Sequence, residues 1–330
     1  MCIVFFQWTE DRFLVCHNRD EFFSRPTQNI HWWNDDNDSH DEVDDESNTK
    51  SHADFQIFAP RDKVSGGTWF GFEKTTGRCA FLTNIRELDP TKYDSSRGAL
   101  IVNYLQSSKN TTALEYLQNE FVDSPQKANS YAGFNLIVFS GHDLAYYSNR
   151  TNVVLPNDDQ GQPVALKRNT PYGLSNSVLQ EPYAKVQKGL GIFQRSLLEE
   201  QEHTEPSNNE QQTNETLLQQ LETLMLREDY CPGDPLPKTG EPGFPQAIVR
   251  DRSRICIPNK NGYGTRTTIR FLLERITCDD DSKQQQHQSD KQQQTNPQQR
   301  ILRCIEKNWN LETLQWETSM DLHSTISLPF

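Results

Sequence analysis

The first 18 residues contain two runs rich in β-forming side chains, 2–8 and 12–18, separated only by the polar triplet Thr9-Glu10-Asp11. Two such runs with so short a polar connection predict an antiparallel hairpin. In a hairpin the end of the second strand lies beside the beginning of the first, so Arg19 and Asp20 are expected to lie close to Cys2. This pairing determines which side chains can surround the second residue of the chain.

Most of the remaining β-rich runs also come in pairs. Strands are predicted at 68–73 with 78–83, at 134–140 with 144–148, at 254–257, at 267–273, and at 301–308 with 312–318. Apolar residues at helical spacing predict helices at 96–106, 112–122, 182–198 and 214–227, and Thr112 with Glu115 forms a capping-box pattern. Because no strand-helix-strand unit repeats, the pattern predicts an α+β sandwich of antiparallel sheets covered by helices.

Hydrophilic residues are concentrated in three tracts, at 35–54, 199–217 and 279–299. Each tract holds too few apolar side chains to offset the entropy lost on ordering it, and a longer surface loop costs little additional entropy. We therefore predict a single domain over 1–330 with the tracts as disordered insertions in surface loops. An interaction tail is the alternative for each tract.

The formal net charge is −13, and no stripe of Lys or Arg interrupts it, which argues against binding to nucleic acid or anionic membranes. The sequence has no apolar run near the ~18 residues of a membrane helix and no secretory signal. Its seven cysteines lack the spacing of a zinc site and fit a reducing compartment. A cytoplasmic protein without a bound metal is expected, and the oligomeric state stays open.

Cys2 follows the initiator Met1 directly. Removal of that methionine would give the cysteine a free α-amine, which titrates near ~8 and can accept the thiol proton. Position 2 therefore offers a nucleophile that carries its own base. The alternative is that Cys2 is a small buried apolar residue of an ordinary first strand.

Five polar residues end the second predicted strand: His17, Asn18, Arg19, Asp20 and Glu21. Beside Cys2, the guanidinium of Arg19 favours the thiolate, and the carboxylate of Asp20 can hold or orient the α-ammonium group. A surface ion pair or a helix cap is the alternative interpretation of these charges.

Side chains later in the chain can complete such a site. Asn84 and Asn176 carry amide groups able to donate to a developing oxyanion, although either can equally stabilise a turn. Arg266 begins a late strand and is predicted to complete an anion-binding pocket. Trp69 follows a glycine-rich turn and is predicted either to form a wall of the pocket or to lie in the core.

Taken in order, these segments resemble the transport and Golgi organisation family, also called the NRDE family. The matching motifs are Met1-Cys2-Ile3, Asn18-Arg19-Asp20-Glu21-Phe22, Arg25-Pro26-Thr27, Gly66-Gly67-Thr68-Trp69, Leu82-Thr83-Asn84, Ser96-Arg97-Gly98, Gly133-Phe134-Asn135, Gly173-Leu174-Ser175-Asn176 and Tyr263-Gly264-Thr265-Arg266. They span most of the chain, and the three polar tracts fall outside them.

The resemblance implies a four-layer αββα sandwich similar to the N-terminal-nucleophile hydrolases, such as penicillin V acylase and bile-salt hydrolase. It implies Cys2 as the nucleophile, Arg19 and Asp20 as its neighbours, Asn84 or Asn176 as an oxyanion donor, and Arg266 as the late arginine of the site. It further implies support of Golgi organisation and protein secretion, with links to haem movement and acyl-lipid metabolism. A cytoplasmic, Golgi-associated or mitochondrial location is therefore expected.

Two functions of different classes follow. The first is a carrier of a hydrophobic anionic ligand, haem or an acyl-lipid, bound by Cys2, His17, Asn18, Arg19, Glu21, Trp69 and Arg266. No resident cofactor is required, and haem would be a transported ligand held without covalent attachment, with Cys2 or His17 contacting the iron. The second is a cysteine amidohydrolase or thioesterase that uses Cys2. A scaffold for secretory-pathway assembly is a third interpretation.

Overall fold

The computed structural model describes residues 2–33, 55–86, 93, 95–150, 161–203, 210–232, 250, 252–276 and 298–328. Strands in the first half of the chain are β1 (Cys2–Trp8), β2 (Arg12–Phe22), β3 (Thr27–Trp32), β4 (Ile57–Asp62), β5 (Phe70–Glu73), β6 (Arg78–Asn84), β7 (Phe134–Phe139) and β8 (Leu144–Ser148). Strands in the second half are β9 (Val164–Ala165), β10 (Tyr172–Leu174), β11 (Tyr263–Arg275), β12 (Gln298–Asn310) and β13 (Gln315–Leu328).

Helices come in two groups along the described part of the chain. The first group is α1 (Gly98–Leu105), α2 (Ala113–Leu117) with a π-helical turn at Gln118–Val122, and α3 (Pro125–Asn129). The second group is α4 (Ala184–His203) and α5 (Glu210–Met225). The predicted capping box is confirmed, because the Thr112 side chain accepts from the Glu115 amide while Glu115 accepts from the Thr112 amide.

The strands form two antiparallel sheets. The first sheet has the order β10-β1-β2-β11-β12-β13, and the second has the order β3-β4-β5-β6-β7-β8-β9. The hairpins predicted from the sequence are confirmed as β1–β2, β5–β6, β7–β8 and β12–β13. The predicted α+β sandwich of antiparallel sheets is therefore confirmed.

The buried side chains separate the molecule into four layers. Val4 and Phe6 of β1 belong to a cluster that also contains Phe70 and Phe81, so this apolar layer lies between the two sheets. The alternate residues of β1, including Phe5, lie in a cluster with side chains of α4 and α5, and a third cluster joins the second sheet to α1–α3. The order of layers is αββα.

The continuous apolar run at the start of the chain follows from this layering. β1 is hydrogen-bonded to β10 on one side and to β2 on the other, and both of its faces are covered. Successive side chains of a strand point to opposite faces, so a strand covered on both faces needs apolar residues at consecutive positions. Residues 2–6 meet that requirement.

Some predictions were wrong in detail. Residues 254–257 are not a strand, because the Cys256 amide donates to the Arg227 carbonyl and the Ile257 amide donates to the Thr265 hydroxyl, contacts outside any sheet ladder. Strands β3, β4, β9 and β10 were not predicted. Residues 112–122, predicted as one helix, form two successive short helical segments.

The polar tracts are described only at their edges. Residues 199–203 complete α4 and residues 210–217 begin α5, so those parts of the second tract are helical rather than disordered. Residues 298–299 of the third tract begin β12. The acidic tract 35–54 and the rest of the other two tracts lie outside the described residues. No helix among the described residues combines the length and apolarity needed to cross a membrane.

A polar cavity at the start of the first strand

The β1–β2 register places Cys2 directly opposite Arg19. The connection between the strands is only three residues long, so the last third of β2 runs past the start of β1 and brings the polar motif to Cys2. The prediction that Arg19 and Asp20 lie close to Cys2 is confirmed.

A cavity of about 140 Å³ opens at this end of the sandwich, between the two sheets. The first sheet contributes Cys2, Arg19, Asp20 and Glu21 to its lining. The opposite wall comes from the segments around the second sheet and from the start of α1: Arg25, Asp62, Ser65, Gly67, Thr68, Trp69, Leu82, Asn84, Ser96, Arg97 and Gly98. Of the predicted site residues, Cys2, Arg19, Asp20, Glu21, Trp69 and Asn84 therefore line one cavity.

Arg19 is the central cation of this cavity. Its guanidinium lies 4.1 Å from the centroid of the Trp69 ring, and its Nη2 donates to Asp62 Oδ2 at 2.8 Å. Its Nη1 is buried and has no hydrogen-bond partner among the described residues. Arg19 is only 4 % exposed, so it retains an unused donor in a desolvated place.

Asp62 is the part of the site that the sequence analysis missed. Its carboxylate accepts from Arg19, from Arg25 Nε at 2.6 Å, and from the amides of Val64 and Ser65 at 3.0 and 3.1 Å. Burial raises the pKa of Asp62, but the hydrogen bond from Arg25 and the charges of Arg25 and Arg19 lower it by more, so the net shift is downward. An acid at the end of an apolar run and before a Ser-Gly-Gly turn was the available signal.

Cys2 is 6 % exposed, and its backbone is fixed at both polar atoms. Its amide donates to Asn176 Oδ1 at 3.1 Å, and its carbonyl accepts from Ser175 Oγ at 2.6 Å. Burial raises the pKa of the Cys2 thiol, while the charge of Arg19 acts in the opposite direction and is weaker. The charge of Arg19 favours the thiolate, but burial has the larger effect, and the thiol form prevails at neutral pH.

The two candidate amides have different positions. Asn176 holds Cys2 through its oxygen and donates through Nδ2 to the Asn84 carbonyl at 2.6 Å, so it connects β1 to the end of β6. Asn176 is not among the residues that line the cavity, whereas Asn84 is. This arrangement favours a positioning role for Asn176 and leaves Asn84 as the amide beside the cavity.

Asp20 uses its carboxylate away from Arg19. Adjacent residues of a strand face opposite sides, and Asp20 Oδ1 accepts from Thr265 Oγ1 of β11 at 2.5 Å. Burial raises the pKa of Asp20, and nearby positive charges, including Lys185, offset this only in part. The Asp20 backbone forms a hydrogen bond with the Cys2 thiol, so the residue contacts Cys2 through its main chain.

The other predicted ligand-binding residues lie outside the cavity lining. His17 is fully buried, its Nε2 lies 3.2 Å from the Leu82 carbonyl, and burial lowers its pKa to about 4. Asn18 donates to the carbonyls of Met225 and Ile255 at 2.7 and 3.1 Å. Both side chains connect layers of the sandwich.

Arg266 does not complete the cavity either. It occupies a bulge in the β11–β2 pair, between Thr265 and Thr267, and it is not a lining residue. Its Nη1 donates to the carbonyls of Arg25 at 2.5 Å and Phe22 at 3.3 Å. Arg266 therefore holds the segment that carries Arg25.

Two glycines bring the wall of the cavity together. A Cβ added to Gly67 would lie 2.6 Å from the Gly98 carbonyl carbon, and one added to Gly98 would lie 2.9 Å from the Thr68 amide nitrogen. These are backbone atoms that cannot rotate away. The Gly66-Gly67-Thr68-Trp69 and Ser96-Arg97-Gly98 motifs are thus two sides of one close backbone contact, which places the start of α1 at the cavity.

The fold and the site define the class of this protein: an αββα sandwich with a polar, arginine-containing cavity at the start of its first strand. The protein-family model described as Transport and Golgi organisation 2 matches residues 1–278, and the chain belongs to this family. The resemblance indicated by the motifs is thereby confirmed.

Curated relatives support the same assignment. The chain is 27 % identical over 286 residues to the Transport and Golgi organization protein 2 homolog of Homo sapiens, covering 83 % of this chain and 89 % of that protein. The figures are the same for the protein of that name from Bos taurus and for the Transport and Golgi organization 2 homolog of Mus musculus.

Proposed function

We propose that this protein supports Golgi organisation and secretion by binding or moving a hydrophobic anionic ligand, such as haem or an acyl-lipid, at the cavity beside Cys2. The observation that carries the proposal is the Arg19 guanidinium, which belongs to the cavity lining and lies against the Trp69 ring. An aromatic face beside a desolvated cation suits a ligand with both an apolar part and a negative charge.

Two guanidinium groups at the site can meet an anionic ligand. Asp62 is shared between them, those of Arg19 and Arg25, and the cavity lining as a whole holds three guanidinium groups and three carboxyl groups, the others being Arg97, Asp20 and Glu21. A charge in a desolvated position interacts with a partner more strongly than it does in water.

A haem ligand would meet only one candidate iron ligand in the cavity lining. Cys2 lines the cavity, whereas the His17 ring contacts the Leu82 carbonyl outside it. Because burial raises the pKa of the Cys2 thiol, coordination through its thiolate would be weak at neutral pH. The contact with the negative group of the ligand is therefore the main interaction in this proposal.

The proposal is tested by titrating the full chain separately with haemin and with palmitate, followed by absorbance and by calorimetry. Arg19→Gln should weaken the binding of at least one ligand about tenfold or more, because a charge-assisted hydrogen bond is lost. Arg168→Gln is the matched control. The Arg168 guanidinium carbon also lies over a tryptophan ring, 4.8 Å from the centroid of Trp8, but Arg168 is not part of the cavity lining. Absence of binding by both ligands to the wild-type protein contradicts the proposal.

The second candidate function is an N-terminal cysteine amidohydrolase or thioesterase. It is favoured by the hydrogen bond from the Cys2 nitrogen to Asn176 Oδ1, which fixes the atom that would become the free amine after removal of Met1. The Cys2 sulfur would attack an acyl carbon, form a thioester and release an amine or thiol that takes up the proton; water would then release the acid. The similarity to N-terminal-nucleophile hydrolases stays a prediction.

Mass spectrometry distinguishes the two functions. Loss of Met1 and an acyl adduct on Cys2 after incubation with acyl thioesters support the hydrolase, and Cys2→Ser should leave no thioester adduct. Retention of Met1 in the purified, active protein eliminates this mechanism, since the amine base is then absent. Imaging of the tagged chain in cells tests the expected cytoplasmic, Golgi-associated or mitochondrial location.

A further inference from the structure

Three loops meet at the end of the sandwich where the cavity opens, and we call them the loop surface: residues 22–26, 63–66 and 258–262. The Phe23 amide donates to the Gly262 carbonyl at 2.8 Å, and the Lys63 amide donates to the Pro26 carbonyl at 3.0 Å. The first loop is thus bonded to both of the others, and its Arg25 also lines the cavity. The loops form one continuous surface beside the cavity.

The loop surface presents large apolar side chains to water. Phe22 is 55 % exposed and Val64 is 61 % exposed. Both are held in place, because the Phe22 ring contacts that of Tyr263, with centroids 5.1 Å apart, and the Val64 amide donates to Asp62 Oδ1 at 3.0 Å. Apolar side chains that are exposed together in fixed positions mark a surface that binds a partner.

The turn between β12 and β13 adds two exposed leucines to the same end of the molecule. Arg19 lies opposite Thr267 in the first sheet, and Thr267 lies opposite Asn308, so the residues after Asn308 continue past the level of the cavity. Leu311 and Leu314 of this turn are both exposed. Half of the eight exposed large apolar side chains in the described part of the chain therefore lie at this end.

The charged side chains of the loop surface are all positive: Arg25, Lys63 and Lys260. The two lysines are exposed, whereas the arginine pairs with the buried Asp62. Nearby acidic residues are Glu21, which is half-buried before the first loop, and Glu312, in the β12–β13 turn. Exposed lysines beside exposed apolar side chains are complementary to a phospholipid layer, which offers phosphate groups above acyl chains.

The size of the cavity favours a lipid occupant over a protein. Pockets that enclose drug-sized molecules have volumes of about 300–1,000 Å³, and this cavity measures about 140 Å³. The apolar part of a haem or an acyl-lipid would therefore extend out of the cavity, toward the loop surface. This step rests on the proposed function.

We propose that the loop surface and the β12–β13 turn dock on a phospholipid bilayer. Phe22 and Val64 then enter the boundary between head groups and acyl chains, and Lys63 and Lys260 contact lipid phosphates. The bilayer is a neutral one, because the net charge of −13 opposes the approach of the whole chain to an anionic membrane. Docking in this way turns the mouth of the cavity toward the lipid.

The test is density-gradient flotation of the full chain, without ligand, with vesicles of phosphatidylcholine. The wild type should float with the vesicles, and Phe22→Ser combined with Val64→Ser should weaken binding about tenfold or more, because the burial of two apolar side chains is lost. Leu198→Ser is the matched control and should bind as the wild type does. Leu198 is 59 % exposed on α4, two residues from Glu200, which pairs with Arg12 at the other end of β2.

A second pair of variants tests the lysines. Lys63→Glu combined with Lys260→Glu should weaken binding about threefold or more, because two contacts with phosphate become repulsive. Lys167→Glu is the control for charge reversal and should bind as the wild type does. Lys167 is exposed at the far end of β1, where the Asn169 amide donates to the Trp8 carbonyl at 2.9 Å.

A third measurement needs no variant. Acetylation of the wild-type protein by acetic anhydride, followed by mass spectrometry, reports how accessible each lysine is. Vesicles should slow the reaction at Lys63 and Lys260 about threefold or more and should leave Lys167 unchanged. Equal protection of the first two lysines in concentrated protein without vesicles would identify a second copy of the chain as the occupant and would overturn the inference.

The inference is also overturned if the wild type does not float, if the double serine variant floats as the wild type does, or if vesicles protect none of the lysines. The proposed function keeps its own test in that case, because titration with haemin and palmitate uses no vesicles. Vesicle binding by a protein that takes up neither ligand would remove the carrier function and leave the docking surface.

Discussion

Arg19 and Asp62 form a buried ion pair, 2.8 Å from Nη2 to Oδ2, that joins the two sheets of the sandwich. Arg19 belongs to β2 of the first sheet and Asp62 ends β4 of the second. The same carboxylate also accepts from Arg25, so it fixes both guanidinium groups at the edge of the cavity. The cavity is thus built where the two sheets meet, from residues that are 43 positions apart in the chain.

Asp62→Asn should lower the free energy of unfolding by about 3 kcal/mol, because Arg19 would stay buried without its counter-charge. Urea denaturation at pH 7 measures this change. Asp321→Asn is the control: Asp321 pairs with Arg303 but is 53 % exposed at its side chain, and the loss should be below about 1 kcal/mol. Equal losses in the two variants would contradict the role given to Asp62.

The Asp62 pair also predicts a pH dependence. The folded-state pKa of Asp62 is lowered below its unfolded value, so its stabilisation is complete above about pH 4 and is lost as the pH falls through the folded-state pKa. The difference in unfolding free energy between wild type and Asp62→Asn should therefore shrink in acid. A difference that is constant from pH 7 to pH 2 would contradict this assignment.

Asp20→Asn should keep or increase stability at pH 7. Burial raises the folded-state pKa of Asp20, so its protonated carboxyl group stabilises the fold below the unfolded pKa, near 4, and this contribution is lost as the pH rises through the folded-state pKa. Asparagine keeps the acceptor for Thr265 without the buried charge. The difference in unfolding free energy between Asp20→Asn and the wild type, measured by urea denaturation, should vanish near pH 4. A difference that favours the variant more at pH 4 than at pH 7 would contradict this sign.

The burial of His17 predicts that the free energy of unfolding falls as the pH decreases from 6.5 to 4. Burial lowers its pKa to about 4, so the imidazole is neutral in the folded protein but is protonated in the unfolded chain below pH ~6.5. Stability is fully present above that pH and falls by about 3 kcal/mol as the pH decreases toward 4. Denaturation of wild type and His17→Gln at pH 7, 5.5 and 4.5 isolates this slope, which the variant should lack.

Gly98→Ala and Gly191→Ala should have opposite effects. A Cβ at Gly98 meets the Thr68 backbone at 2.9 Å, so the variant should be less stable by about 2 kcal/mol or more and should have a disturbed cavity wall. Gly191 lies in α4 with nothing within 4 Å of an added Cβ, and alanine there should stabilise by about 0.5–1 kcal/mol. Thermal denaturation compares the two, and a neutral Gly98→Ala would disprove the close contact.

The sequence by itself determined the local pairing around Cys2. Two β-rich runs with a three-residue polar connection are expected to pair as a hairpin, which brings Arg19 and Asp20 close to Cys2. The register, with Cys2 opposite Arg19 and Trp8 opposite Phe13, comes from the structure. The strand hairpins, the helix pairs and the individual motifs were predictable for the same reason, because each depends on residues close together in the chain.

The tertiary structure decided which of the motif residues share a cavity. Arg19 and Asp20 are adjacent in sequence, but strand alternation turns one toward Asp62 and Trp69 and the other toward Thr265. Asp62 and the start of α1 reach the cavity only through the stacking of two sheets and a glycine-to-glycine contact. Those placements depend on packing between distant segments, and the bulge that directs Arg266 away from the cavity likewise leaves no local pattern in the sequence.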